Sequence, residues 1–292
     1  MHLIVCSKKD DASQNIKSHL LGILKPEEKE LKECTFYDAG DIGIAEIEDR
    51  LIYTDGLDAK LKKEIEFDEI LFASRHSSKD ERKIFSTHVS GNVNTADFGG
   101  VPYSLARPAP VRMKNYVLAL SKKLDRKPEF DFTMEVTHHG PSEIDTPSAF
   151  YEIGSTENEW NDREAGRIVA ESLIESIKNG RDNWHIAVGV GGTHYAPRQT
   201  EIMLETTFTF GHNFAKYTFE GLNEEIVKEA VIITEADYIV IDEKSIKSSV
   251  KKLVNGVADD LGIEVLKSKK VKKEYRLGAE NPPIPQQNDK KT

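Results

Sequence analysis

Four apolar runs in this chain of 292 residues end the same way: a strand-like stretch stops and a histidine follows within a few positions. Residues 69–73 lead to His76, residues 130–136 to His138 and His139, residues 185–190 to His194, and the run at 208–210 to His212. In the second run Phe130, Phe132, Met134 and Val136 alternate with polar residues, the period-two signature of a half-buried strand, and Gly140-Pro141 then stops regular structure. Helical periodicities lie between the runs, over 10–24, 111–123, 163–178, 223–230 and 245–261, and further strands are expected at 2–6, 149–154 and 236–241. No internal repeat is visible. This alternation predicts an α/β fold, a mostly parallel or mixed sheet flanked by helices. In such sheets ligands bind at the carboxyl ends of the strands, so His76, the 138–139 pair, His194 and His212 are expected along one edge.

Bulk properties narrow the classes. Charged residues make up 31% of the chain and no apolar run of about 18 residues exists, so no membrane span is expected. The N-terminus, Met1-His2-Leu3-Ile4-Val5-Cys6, reads as a first strand without the marks of a signal peptide. Only Cys6 and Cys34 are present, which rules out a disulfide framework and a four-cysteine zinc site and fits a reducing cytoplasm. The net charge of −10 repels nucleic acid, so DNA is not an expected partner and RNA requires a local basic patch. Patches are available from Arg107 to Lys127 and from Lys267 to Lys273, against the alternative that each is a solvated helix face or tail. Residues 1–270 read as one α/β catalytic domain and 271–292 as a basic, Pro/Gln-rich disordered tail. The charged residues from 26 to 32 read as a connection or short helix, and 155–160 as a polar loop.

The chemistry concentrates at 135–143, where two histidines sit between Glu135 and Glu143. Catalytic zinc takes three protein ligands from imidazole and carboxylate and keeps a position open. His138, His139, His194, Glu135 and Glu143 offer enough donors, although the chain has no His-Glu-x-x-His pair. Adjacent residues on an extended chain point to opposite faces, so only one of His138 and His139 is expected on a given ion. No Gly-x-Ser-x-Gly elbow supports a serine mechanism. Gly189-Val190-Gly191-Gly192 is a loose phosphate-loop pattern that runs into Thr193-His194-Tyr195-Ala196-Pro197 instead of a helix; its amides suit an oxyanion or a terminal ribose, or the glycines simply make a tight turn.

Taken together, Phe-Ala-Ser-Arg-His (72–76), Thr-His-Val-Ser-Gly-Asn (87–92), Glu-Val-Thr-His-His-Gly-Pro (135–141), Gly-Ser-Thr-Glu (154–157), Gly-Gly-Thr-His-Tyr-Ala-Pro (191–197) and Gly-His (211–212) resemble the archaeal and plant type of D-aminoacyl-tRNA deacylase over roughly residues 1–266. The resemblance implies hydrolysis of the ester between a D-amino acid and the tRNA 3′ end, a zinc requirement, and a fold akin to peptidyl-tRNA hydrolase and nucleoside phosphorylases. The expected site follows from the residue chemistry. His138, His194 and Glu135 are the candidate metal ligands. Glu135, His139, Glu143 and Thr193 are the candidate catalytic groups, with whichever carboxylate is spare moving the proton. His76, His88, Gly191, Gly192 and Arg107 are the candidate substrate contacts. Two rival classes fit the residues without the resemblance: a metal-dependent amidase or peptidase on small substrates, and a non-catalytic nucleotide-binding module.

Overall fold

Two sheets carry the molecule in a computed structural model that describes residues 1–279. The larger has eight strands: β1 (His2–Ser7), β2 (Glu27–Glu30), β3 (Thr35–Asp38), β4 (Ile42–Ile47), β5 (Glu69–Arg75), β6 (Ile84–His88), β7 (Asp131–Met134) and β8 (Ser148–Gly154), in the order β2-β3-β4-β1-β5-β8-β6-β7. Strands β4, β1, β5 and β8 are parallel, while β6 runs against β8 and carries β7 parallel to itself. The smaller sheet is all parallel, β10-β9-β11-β12, from β9 (His185–Val190), β10 (Phe208–Phe214), β11 (Tyr238–Ile241) and β12 (Glu264–Lys267). The helices are α1 (Asp11–Leu24), α2 (Leu57–Leu61), α3 (Pro110–Ser121), α4 (Glu157–Trp160), α5 (Arg163–Lys178), α6 (Pro197–Glu205), α7 (Glu224–Thr234), α8 (Ser248–Leu261) and α9 (Ser268–Glu274). Among the described residues no helix is long and apolar enough to cross a membrane.

The α/β class holds, with physical reasons for the departures. Strands β1, β5 and β9 fall where the apolar runs place them, because those runs are buried along nearly their whole length. Helix α5 begins at Asp162, whose carboxylate accepts the Ala165 N–H, and buries Ile168, Val169 and Leu173 on one stripe. In contrast, residues 27–30 form an edge strand exposed on every residue, so no hydrophobic period marks it. Residues 157–160 form a helical turn closed by a capping box between Thr156 and Glu159. The tail expected from residue 271 begins later: α9 buries Val271 completely and Tyr275 is 5% exposed, because this basic segment also carries an apolar stripe. The rest of that expectation, residues 280–292, lies outside the described residues.

The expected single edge is also replaced. Residues 185–190 belong to the smaller sheet, and β7 runs opposite to β5. The sheets are stitched where β7 ends: Val136 N–H donates to His194 O at 3.0 Å, and Thr137 N–H donates to Asn213 O at 2.9 Å. Beneath this seam Asn213 N–H donates to the Thr137 hydroxyl, which faces His212 Nδ1, while His212 Nε2 meets Ala106 O. His212 is therefore a buried tie and not a site residue; burial pushes its pKa down to about 3.

Candidate active site

The antiparallel turn of β6 and β7 builds the site. In the register, His88 lies opposite Phe150 and Ser86 opposite Glu152, while His76 continues β5 with its N–H on Ile153 O. His88 and His76 thus approach from opposite directions along β8, and Glu152 stands between them: its Oε2 is 3.7 Å from His88 Nε2 and 3.7 Å from His76 Nδ1. Glu135, fully buried at the end of β7, offers Oε2 to His194 Nε2 at 2.8 Å and lies 3.6 Å from His138 Nε2. Its Oε1 is 3.1 Å from His76 Nδ1 yet lacks a well-aligned donor. Gly154 is required for this packing, since a Cβ there would sit 2.8 Å from the His76 ring.

His138 and His139 do not face opposite ways. His139 has φ +47°, a left-handed conformation uncommon for a side-chain-bearing residue, and this breaks the extended alternation. Their ring centroids are 4.4 Å apart, and His88 lies 4.4 Å from His138 and 4.8 Å from His139. All three rings place Nδ1 on a backbone carbonyl: His88 on Val89 O at 3.2 Å, His138 on Val136 O at 2.7 Å, His139 on Gly140 O at 2.6 Å. A carbonyl can only accept, so each Nδ1 carries the proton, and in its neutral form each ring keeps a free Nε2 lone pair; burial lowers the pKa of His88, but the Glu152 carboxylate beside its Nε2 outweighs this and raises it. Such bonds orient metal-ligating histidines. Donor atoms of these three residues lie within 4.8 Å of one another, and His88 Nε2 is buried without a hydrogen-bond partner. The set fits a zinc ion with an open fourth position. His76, Glu135 and His194 are equally close, as are His88, Glu135 and Glu152. In the first of these groups, however, imidazole N–H groups already face the carboxylate. The ligand trio expected from the sequence, His138, His194 and Glu135, does meet at Glu135 Oε2, but His194 meets it there as a hydrogen-bond partner.

Charge divides the cluster. Burial lowers the pKa of His76, but the facing carboxylates of Glu135 and Glu152 outweigh it and hold the imidazolium up to about 11. Its second N–H reaches Tyr195 Oη at 3.3 Å, which donates on to Asp80. Burial raises Glu135 and Glu152, yet the histidines overcome it, so Glu135 lies well below the carboxylate range and Glu152 at about 2. Burial and neighbouring imidazoles push His138 well down and His139 to about 4. Above these groups opens a cleft of about 380 Å³, lined among others by His76, His138, His139, Glu152 and His194, within the ~300–1,000 Å³ typical of ligand sites.

Other expected site residues lie elsewhere. Glu143 is exposed, and its backbone N–H binds Asp55. Thr193 is exposed. The Gly191 and Gly192 amides are already committed, to Phe214 O at 2.8 Å and to Ser245 Oγ at 2.7 Å, so the turn is structural and offers no N–H to an oxyanion. Arg107 is exposed in a separate cleft, paired with Glu235 at 2.8 Å. The 107–127 cations are largely neutralised: Lys122 and Lys123 by Glu175, Arg126 by Glu164 and Glu171, Lys127 by Glu129 and Asp162, and Arg112 by Glu69. Lys114 is buried against the Met203 and Thr206 carbonyls. Glu152 went unrecognised in the sequence; its signal is a carboxylate inside an otherwise apolar run, Ala149 to Ile153.

A mixed α/β frame that gathers five histidines and two buried carboxylates at and beneath one cleft has the donor and acid–base groups of a hydrolase able to take a metal. Comparison with known proteins narrows the class. The family model described as D-aminoacyl-tRNA deacylase matches residues 63–266. A D-aminoacyl-tRNA deacylase of Archaeoglobus fulgidus is 66% identical over 277 residues, covering 95% of this chain and 100% of that protein; one from Thermococcus kodakarensis is 38% identical, covering 91% and 100%. A crystal structure described only as a conserved protein of unknown function superposes with a TM-score of 0.94 at 66% identity, over 95% of this chain and 98% of that one. The chain belongs to the D-aminoacyl-tRNA deacylase family.

Proposed function

We propose that this chain hydrolyses the ester joining a D-amino acid to the 3′ end of tRNA, in the cytoplasm, releasing the free amino acid and the tRNA with the help of a bound zinc ion. The observation that carries the zinc reading is the set of three Nδ1–carbonyl bonds at His88, His138 and His139, which leaves Nε2 as the available donor on each of three residues that have ligand atoms within 4.8 Å of one another, beside buried carboxylates. These three side chains would hold the ion, which when bound supplies a Lewis acid and a water of lowered pKa.

The chain's own groups then divide the work. The His194 side chain is 35% exposed, and its Nε2–H is fixed on Glu135. This tautomer leaves Nδ1 as a proton acceptor, 3.4 Å from the Tyr217 hydroxyl. As water oxygen bonds to the ester carbonyl carbon, His194 takes its proton; as the bond from that carbon to the ribose oxygen breaks, His194 returns the proton to the departing oxygen. Glu135 stays anionic and stabilises the transient imidazolium. His76, held cationic, balances part of the charge on Glu135 and Glu152.

The test is hydrolysis of matched D- and L-aminoacyl-tRNAs, with and without chelator, alongside zinc content per chain. The expected outcome is turnover of the D-form alone, lost on chelation and restored by zinc. Equal turnover of both forms overturns the substrate assignment, and full activity in metal-free protein overturns the zinc role.

A further inference from the structure

We infer that Phe98, with Arg50 and Arg75, forms a cradle for the 3′-terminal adenosine of the tRNA: the base stacks on Phe98 and the adjoining phosphate meets the two guanidinium groups. This rests on the deacylase reading and adds the place where the substrate's nucleotide end is held. Phe98 is 67% exposed at the mouth of the cleft that contains His138, His139 and His194. Its backbone is nevertheless rigidly held. Gly140 N–H donates to Phe98 O at 3.1 Å. A Cβ at Gly99 would sit 1.9 Å from Ile52 O, and one at Gly140 would sit 2.3 Å from Gly100 N, so three loops meet backbone to backbone beside the histidines. A ring set on such a fixed support offers a flat apolar face at little ordering cost, which is how proteins hold unstacked nucleobases.

Arg50 and Arg75 line the same cleft. Unlike the cations at 122–127, neither forms an ion pair among the described residues. Each guanidinium instead lies over an aromatic ring, Arg50 over Tyr53 at 5.5 Å and Arg75 over Trp160 at 4.8 Å. Trp160 is itself anchored by its indole N–H on His76 O at 2.8 Å. Stacked guanidinium groups keep their in-plane N–H donors for phosphate oxygens. An aromatic platform and two unpaired guanidinium groups at the mouth of an otherwise acidic protein match a terminal nucleotide, and the ester it carries would then reach the histidines on the floor.

The experiment compares wild type, Phe98→Ala, Phe98→Trp and the double variant Arg50→Gln/Arg75→Gln, all checked for folding by circular dichroism. Steady-state kinetics on D-aminoacyl-tRNA are paired with calorimetric binding of adenosine 5′-monophosphate. Phe98→Ala should raise KM and the Kd for the mononucleotide by a similar factor, about 5- to 150-fold for loss of one base stack, with kcat retained. Phe98→Trp should restore both. The double arginine variant should flatten the salt dependence of KM by about 0.7 in log–log slope for each phosphate no longer neutralised. A folded Phe98→Ala protein with unchanged KM and mononucleotide Kd overturns the cradle while leaving the deacylase reading intact. A change confined to preference among D-amino acids also overturns it, because Phe98 would then line the amino-acid pocket. If wild type leaves D-aminoacyl-tRNA intact, the deacylase reading fails, and the calorimetric comparison still decides whether Phe98 holds a nucleotide.

Discussion

His76 and His139 serve one cluster, the first buried and the second half-buried, yet they hold protons at opposite ends of the scale. His76 lies between Glu135 and Glu152 and is kept charged up to about pH 11, whereas His139 lies among His88, His138 and Phe150 and gives up its proton at about 4. Burial disfavours charge at both; the neighbours decide the sign. One side of the cluster is therefore a buried ion network and the other holds the low-pKa imidazoles of His138 and His139, with His88 between them and Glu152, so candidate metal ligands and charge-balancing groups lie a few ångströms apart.

Removing the lone-pair side should have the largest effect. His138→Ala and His88→Ala should each lose bound zinc and take single-turnover deacylation to background while the fold survives; zinc retained at one per chain would reject the three-histidine set. Next comes the carboxylate side. Glu135→Gln should keep zinc but slow turnover by about 10²–10⁴-fold, the usual size of an acid–base contribution. Loss of zinc in that variant would make Glu135 a ligand instead.

Stability of the chelator-treated protein against pH should separate the two sides further. The folded pKa of His76 is raised, so its contribution is present below about pH 6.5 and is lost as pH climbs towards 11. The folded pKa values of His139 and His212 are depressed to about 4 and about 3, so the folded chain resists protonation and loses stability as pH falls from about 6.5 to those values. Glu152 extends the acid loss, from the ordinary carboxylate range down to about 2. Denaturant midpoints should thus peak near neutrality. His76→Gln should flatten the alkaline limb and His139→Asn the acid limb, each by at most about 1.4 kcal/mol per pH unit; unchanged limbs would refute the opposed assignments. Gly154→Ala, which crowds the His76 ring, should retain zinc and lower turnover more modestly than Glu135→Gln. The smallest effect belongs to Lys122→Glu/Lys123→Glu/Arg126→Glu. These cations are already paired with acids, so tRNA affinity and its salt slope should barely change, and a marked loss in a binding titration would return this face to the tRNA path.

Local pattern alone was enough for the α/β class, most long helices, the strands whose burial is continuous, and four of the five clustered histidines; no strand-end pattern marked His88, and His212, which it did mark, is a buried tie. Periodicity and strand-end histidines are written in neighbouring residues and can be read there. That β6 and β7 turn against β8 could not be read in this way, since strand direction depends on pairing with distant segments. That turn brings Glu152, a residue of an apolar-looking run, between His76 and His88. The left-handed backbone at His139 likewise turned an expected pair of opposed rings into neighbours. Glu143, Thr193 and Arg107 carry suitable chemistry at suitable sequence distances but face solvent or another cleft, and the Gly191 and Gly192 amides are spent on the fold. Residue type and spacing show which groups are able to act; side-chain direction and prior hydrogen-bond commitment, which only packing sets, decide which of them meet.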